Sequence, residues 1–140
     1  MTSEFTELDD PPYPPIADYA YISDCHSAAL ISRTGSIDWC CMPRIDSGSC
    51  FGRLLDWEKG GHCRIAPTAP CRLSRRYLKN TLVLETTYRT HEGAYRLLDF
   101  FPMREGGEHH PHKQILRIVE GLEGRVELTL DLIPRFEYGS

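Results

Sequence analysis

From Leu82 onward the side chains alternate. Leu82, Leu84, Thr86 and Tyr88 hold one parity, and Val83, Glu85, Thr87 and Arg89 hold the other. Near the end of the chain Val126, Leu128, Leu130 and Leu132 share one parity, while Arg125, Glu127, Thr129 and Asp131 share the other. Successive side chains of a strand point to opposite faces, so a period of two predicts strands with one wet face and one buried face. The pattern places strands over 82–89, 94–101, 114–120 and 125–133. His91-Glu92-Gly93 turns the first pair, and Gly121–Gly124 is expected to join the second pair as a hairpin. Upstream, Tyr19–Ser23 and Ala28–Ser32 read as strands with 24–27 turning between them. Arg33-Thr34-Gly35-Ser36 is a tight turn in which Gly35 suits a positive φ, and Ile37–Met42 is the return strand. Cys50, Phe51, Leu54 and Leu55 recur at helical spacing, with Ser47 or Ser49 as N-cap, and predict one short helix near 49–56. Many short strands with short turns specify an all-β fold, an antiparallel β-sandwich.

The first fifteen residues have a different texture. Pro11, Pro12, Pro14 and Pro15 deny them a helix and favour an extended conformation. Residues 1–15 are therefore expected to be a disordered lead, with one domain over 16–140. No internal repeat is visible.

Charge and composition remove several function classes. Twenty acidic against sixteen basic residues leave a net charge of -4, which gives no footprint for nucleic acid or an anionic membrane. No window approaches the roughly 20 apolar residues of a membrane span. The N-terminus has neither a basic region nor an apolar core of signal-peptide type, so a cytoplasmic location is expected. The six cysteines, at 25, 40, 41, 50, 63 and 71, are then expected to be free thiols.

Candidate chemistry is sparse. Cys40 and Cys41 are adjacent on a strand and point to opposite faces, so they do not readily share one metal ion. His109-His110-Pro111-His112 is a dense imidazole cluster, read as a solvated loop. No nucleophile elbow or phosphate loop occurs. No metal and no cofactor is expected. Asp18, Asp24, Asp38, Asp46, Asp56, Glu85 and Asp99 are carboxylates of the kind glycoside hydrolysis uses in pairs, but each reads first as a turn, cap or exposed-face residue. The richest stretch is Asp38-Trp39-Cys40-Cys41-Met42-Pro43-Arg44-Ile45-Asp46-Ser47, where a strand gives way to a loop. Trp39 can stack on a sugar ring, Arg44 offers a planar fork of donors, and Asp46 accepts from hydroxyls. The plainer reading has Trp39 in the core and Arg44 paired with Asp46 to brace the loop.

Ordered motifs run through the chain: Ile16-Ala17-Asp18-Tyr19-Ala20, Gly35-Ser36-Ile37-Asp38-Trp39, Pro43-Arg44-Ile45-Asp46-Ser47, Thr81-Leu82-Val83-Leu84-Glu85-Thr86, and Pro134-Arg135-Phe136-Glu137-Tyr138-Gly139. Together they resemble the trehalase-like N-terminal domain of family 15 glycoside hydrolases, over nearly all of 16–139. The chain departs from the family pattern at His26, Cys40, Ile45 and Gly48, where Arg or Asn, Leu, Phe and Pro are usual.

The resemblance implies a supersandwich-like β-domain followed by a catalytic (α/α)6 barrel that carries both catalytic carboxylates. It implies inverting hydrolysis of α-glucosides by the parent enzyme and no catalytic residue in this chain. The partners so implied are the barrel of the same polypeptide and, through it, an α-glucoside. Trp39, Arg44 and Asp46 are then candidates for the rim of the active site. The alternative is an independent carbohydrate-binding module, for which Tyr88 and Tyr95 are the aromatic pair to examine. If the 125–133 strand is left with a free edge, a homodimer through that edge is also expected.

Overall fold

In the computed structural model, residues 5–103 and 114–139 are described. Two antiparallel sheets carry almost all the regular structure. The strands, in chain order, are β1 Thr6–Glu7, β2 Ala20–Ser23, β3 Ala28–Ile31, β4 Ser36–Cys41, β5 Ser49–Phe51, β6 His62–Pro67, β7 Arg72–Tyr77, β8 Leu84–Arg89, β9 Gly93–Phe100, β10 Leu116–Gly124 and β11 Leu128–Ile133. Sheet A has the order β1-β7-β8-β9-β10, and sheet B the order β11-β6-β4-β3-β2, with β5 added on β4. The all-β sandwich expected from the alternation is the fold observed.

The sheets face each other over two apolar clusters. In the first, Ile22, Ile31, Ile37 and Cys40 of sheet B meet Leu84 and Phe101. In the second, Leu73, Tyr88, Tyr95 and Leu97 of sheet A meet Ile65, Val126 and Leu128. Long polar side chains also cross the gap to backbone carbonyls that the sheets leave unused. The Tyr77 hydroxyl donates to Tyr21 O at 2.8 Å, Tyr88 Oη to Arg33 O at 2.9 Å, and Arg75 Nη2 to Asp18 O at 2.7 Å. The Tyr88 and Arg75 bonds are half-buried and the Tyr77 bond is exposed, and together they help hold sheet A on the layer opposite.

Four expectations need correction. The helix near 49–56 does not form. Ser49–Phe51 is a short strand on β4, and turns follow it to Gly60. The Asp56 carboxylate accepts from the backbone N–H groups of Glu58 and Lys59, which holds a turn where the helix was expected. Second, residues 5–15 are not a free lead. Thr6 and Glu7 pair with β7, Asp10 meets Arg64 at 3.0 Å, and Tyr13 packs on Trp57 with centroids 5.2 Å apart.

Third, the last two strands do not form a hairpin. β10 pairs with β9 in sheet A, whereas β11 pairs with β6 in sheet B. The segment 125–127 therefore steps from one sheet to the other. Fourth, the apolar stripe of β11 is buried only at its start. Val126 and Leu128 pack on the core, but Leu130 is 64% and Leu132 61% exposed. Beyond Leu128 this outermost strand passes the cover of the opposing sheet. Among the described residues, no helix is long and apolar enough to cross a membrane.

Candidate functional site

The Met42–Gly48 loop leaves β4 and returns as β5, so strand pairing fixes both of its ends. Cys40 faces Phe51 and Cys41 faces Ser49, with a bulge between the two pairs. The Met42–Pro43 peptide is cis. Three backbone N–H donors shape the turn: Arg44 N–H donates to the Ser47 side-chain Oγ at 3.1 Å, Ser47 N–H to Arg44 O at 3.0 Å, and Ile45 N–H to His26 O at 2.9 Å. Below the loop, the Ser27 hydroxyl donates to Cys41 O. Side chains on this turn are thus exposed but stand on a fixed backbone, a common setting for binding residues.

Arg44 Nε lies 3.2 Å from Asp46 Oδ1, and both side chains are about 70% exposed (72% and 68%). Trp39 lies earlier, half-buried in β4 opposite Leu30. The C-terminal segment comes to the same place. Arg135 N–H donates to Cys50 O at 3.0 Å, and a Cβ on Gly48 would stand 3.3 Å from Glu137 Cγ. Two segments far apart in sequence, 48–50 and 135–137, therefore meet beside β5.

The carboxylates sort by environment. Asp24 and Asp56 hold turns through backbone N–H groups, as expected. Glu85 is nearly buried between Arg76 and Arg96, at 2.9 and 3.7 Å. Asp38 and Asp99 differ from the expectation, since both are fully buried. Asp38 accepts from Tyr19 Oη at 2.6 Å and from the Ser36 hydroxyl, and Arg53 Nη1 stands 3.9 Å away. Burial and the Asp38 hydrogen bond push the Tyr19 phenol well above its ordinary range, so it stays protonated as donor.

Asp99 accepts from Arg117 Nε at 2.6 Å and Nη2 at 3.3 Å. Burial raises the Asp99 carboxyl, and Arg117 pulls it back. Both carboxylates face inward and serve the core. Each stands in an apolar run, Ile37-Asp38-Trp39 and Leu98-Asp99-Phe100, and that setting is the signal that marks a buried, partnered acid.

Tyr88 and Tyr95 do not form a platform. They stack at 5.0 Å between centroids, but Tyr88 is 0% and Tyr95 2% exposed. An alternating strand puts both on the face that packs against sheet B, out of reach of a sugar. His109, His110 and His112 lie outside the described residues. Sequence reasoning missed Trp57, which Arg53 covers at 3.8 Å and which lines a cleft of about 320 Å³ with Asp9, Asp10, Asp18 and Arg33.

Residues 9–140 match the family model described as trehalase-like, N-terminal. The chain belongs to that family. It is 39% identical over 148 residues to a trehalase of Mycolicibacterium smegmatis, covering 91% of this chain and 21% of the relative. A trehalase of Mycobacterium tuberculosis is 39% identical over 147 residues, with the same coverage. One from Thermoplasma volcanium is 33% identical over 130 residues, again covering 91% of this chain and 21% of the relative. The chain spans about a fifth of the length of these curated relatives. No solved structure matches it. The trehalase-like N-terminal family and the β-sandwich now agree, and the motif segment 134–139 adjoins β5 just after the 43–47 motif.

Proposed function

We propose that this chain is the non-catalytic N-terminal domain of an α-glucoside hydrolase of glucoamylase or trehalase type. It packs against the catalytic part of the longer polypeptide and lends the Met42–Gly48 loop to the rim of the active site. The observation that carries this reading is the apolar flank at β10 and β11. Ile118, Leu122, Leu130 and Leu132 are 43–64% exposed there, on strands that end their sheets. Exposed apolar residues on strands that, among the described residues, end their sheets make a surface suited to being covered. The inward-facing Asp38 and Asp99 fit the same reading, because both are fully buried, away from any surface a substrate could reach. A rim of Arg44 and Asp46 holds the non-reacting part of a glucoside, and that binding energy positions the bond to be cleaved.

The test uses a chimera. This chain replaces the matching segment of the M. smegmatis trehalase, and trehalose hydrolysis is followed. The chimera is expected to be active, and Arg44→Ala is expected to raise KM by about tenfold with kcat little changed. The isolated chain is expected to release no glucose from trehalose or maltose. Hydrolysis by the isolated chain that survives Arg44→Ala overturns the proposal, and an unchanged KM in the chimera removes the rim.

A further inference from the structure

The end of β4 and the bulge of β5 bring two thiols together. Cys40 is fully buried in the first apolar cluster, and Cys50 packs against that cluster from a partly exposed position. The register sets Cys40 opposite Phe51 and Cys41 opposite Ser49, so Cys50 is the extra residue of the bulge. Its Sγ lies 3.4 Å from the Cys40 carbonyl oxygen. Cys50 Sγ donates to that carbonyl, and Cys40 Sγ lies 3.9 Å from Cys41 O. Of the two residues, Cys50 is the one partly open to solvent.

We propose that Cys50 and Cys40 form a thiol–disulfide exchange site, at which a low-molecular-weight disulfide oxidises the pair to a bond stapling β4 to β5. The neighbouring Cys40 thiol lowers the Cys50 thiol to about 7 although partial burial opposes this. The Cys50 neighbour, followed by burial, raises Cys40 far above its ordinary value and keeps its proton in place. Cys50 is therefore the attacking thiolate and Cys40 the resolving thiol.

In the first step Cys50 attacks one sulfur of RSSR. The S–S bond breaks, RS⁻ leaves, and Cys50 carries a mixed disulfide. Consuming the Cys50 thiolate removes the main cause that held the Cys40 proton. Cys40 then loses that proton and attacks the Cys50 sulfur, and the second RS⁻ leaves. The two cysteines are oxidised, RSSR is reduced to two RSH, and the two thiol protons end on those products. The new bond closes a ring around the Met42–Gly48 loop and pins the turn that carries Arg44 and Asp46. The exchange chemistry does not depend on the rim reading above.

The reduced 140-residue chain is incubated with glutathione disulfide, quenched in acid, and mapped by mass spectrometry after trypsin. Cleavage after Arg33, Arg44 and Arg53 separates peptide 34–44, with Cys40, from peptide 45–53, with Cys50. Linked 34–44 and 45–53 is the expected main product, joined through Cys40 and not Cys41. Its rate of formation rises with pH about a midpoint near 7. Cys40→Ser is expected to stop at glutathione on Cys50, and Cys50→Ser to leave Cys40 reduced. Glutathione accumulating on the exposed Cys25 while Cys40 and Cys50 stay unlinked overturns the proposal. The unsubstituted chain alone decides this, so a variant that misfolds does not blur the result.

Discussion

Arg117 is only 8% exposed although its strand, β10, is otherwise largely open to solvent. Its guanidinium is drawn inward by acceptors in both sheets. It binds the Asp99 carboxylate, then Cys63 O at 2.7 Å and Gly35 O at 2.6 Å on sheet B. Burial pushes the Arg117 guanidinium down, but Asp99 more than restores it. Removing the cation leaves a buried, unpaired carboxylate, so Arg117→Leu should cost about 3–5 kcal/mol in urea unfolding. Adding Asp99→Asn should recover part of that loss, because no charge is then stranded.

The pH dependence of the single variant follows from the direction of the Asp99 shift. Its folded-state pKa is raised by burial, more so without Arg117, so the folded state takes up a proton before the unfolded state does. Arg117→Leu should therefore be relatively more stable toward acid pH and lose that stability as pH rises through the folded pKa. Unfolding curves of the same destabilisation at acid and neutral pH would contradict the stranded charge. Residue types in the sequence mark Arg44 and Asp46 as a loop pair. They do not mark Arg117 as buried, because its partners lie across the sandwich.

At the scale of elements, alternation and turn chemistry are legible where they are local. The β2–β3, β3–β4 and β8–β9 hairpins lie where the sequence pattern places them. Gly35 turns β3 into β4 with φ +77°, and a Cβ there would stand 2.3 Å from Ile65 O. Gly35→Ala should therefore cost about 3 kcal/mol, the upper end for a left-handed residue, because sheet B must also give way. Thermal unfolding of the variant measures it, and an unchanged midpoint would show that the turn can relax. β7, Arg-Leu-Ser-Arg-Arg-Tyr, has too little apolar alternation to announce itself. Its arginines and tyrosine act through inter-sheet bonds from Arg75 and Tyr77 instead. The Cys50–Leu55 spacing imitates a helix because a short strand and a turn can place apolar residues at similar intervals.

The whole molecule depends on a step that no local pattern announces, the passage of 125–127 from sheet A to sheet B. A hairpin would have paired β10 with β11 and closed that flank. The observed crossing leaves each strand as the end of its own sheet, with Leu130 and Leu132 facing solvent. Strand ends of this kind pair with whatever edge they meet. When the chain is alone, the available edge is that of another copy, so self-association should appear at high concentration. Sedimentation velocity over a dilution series should show a monomer giving way to a dimer. Leu130→Lys with Leu132→Lys should weaken that association by about tenfold or more, since both burial and strand pairing then require desolvating a charge. On the proposed packing the same flank is covered from within the polypeptide in the trehalase chimera, so the double substitution should impair folding or activity there without changing the oligomeric state. A sedimentation profile that stays monomeric at millimolar protein would mean that the flank is held closed by the chain itself.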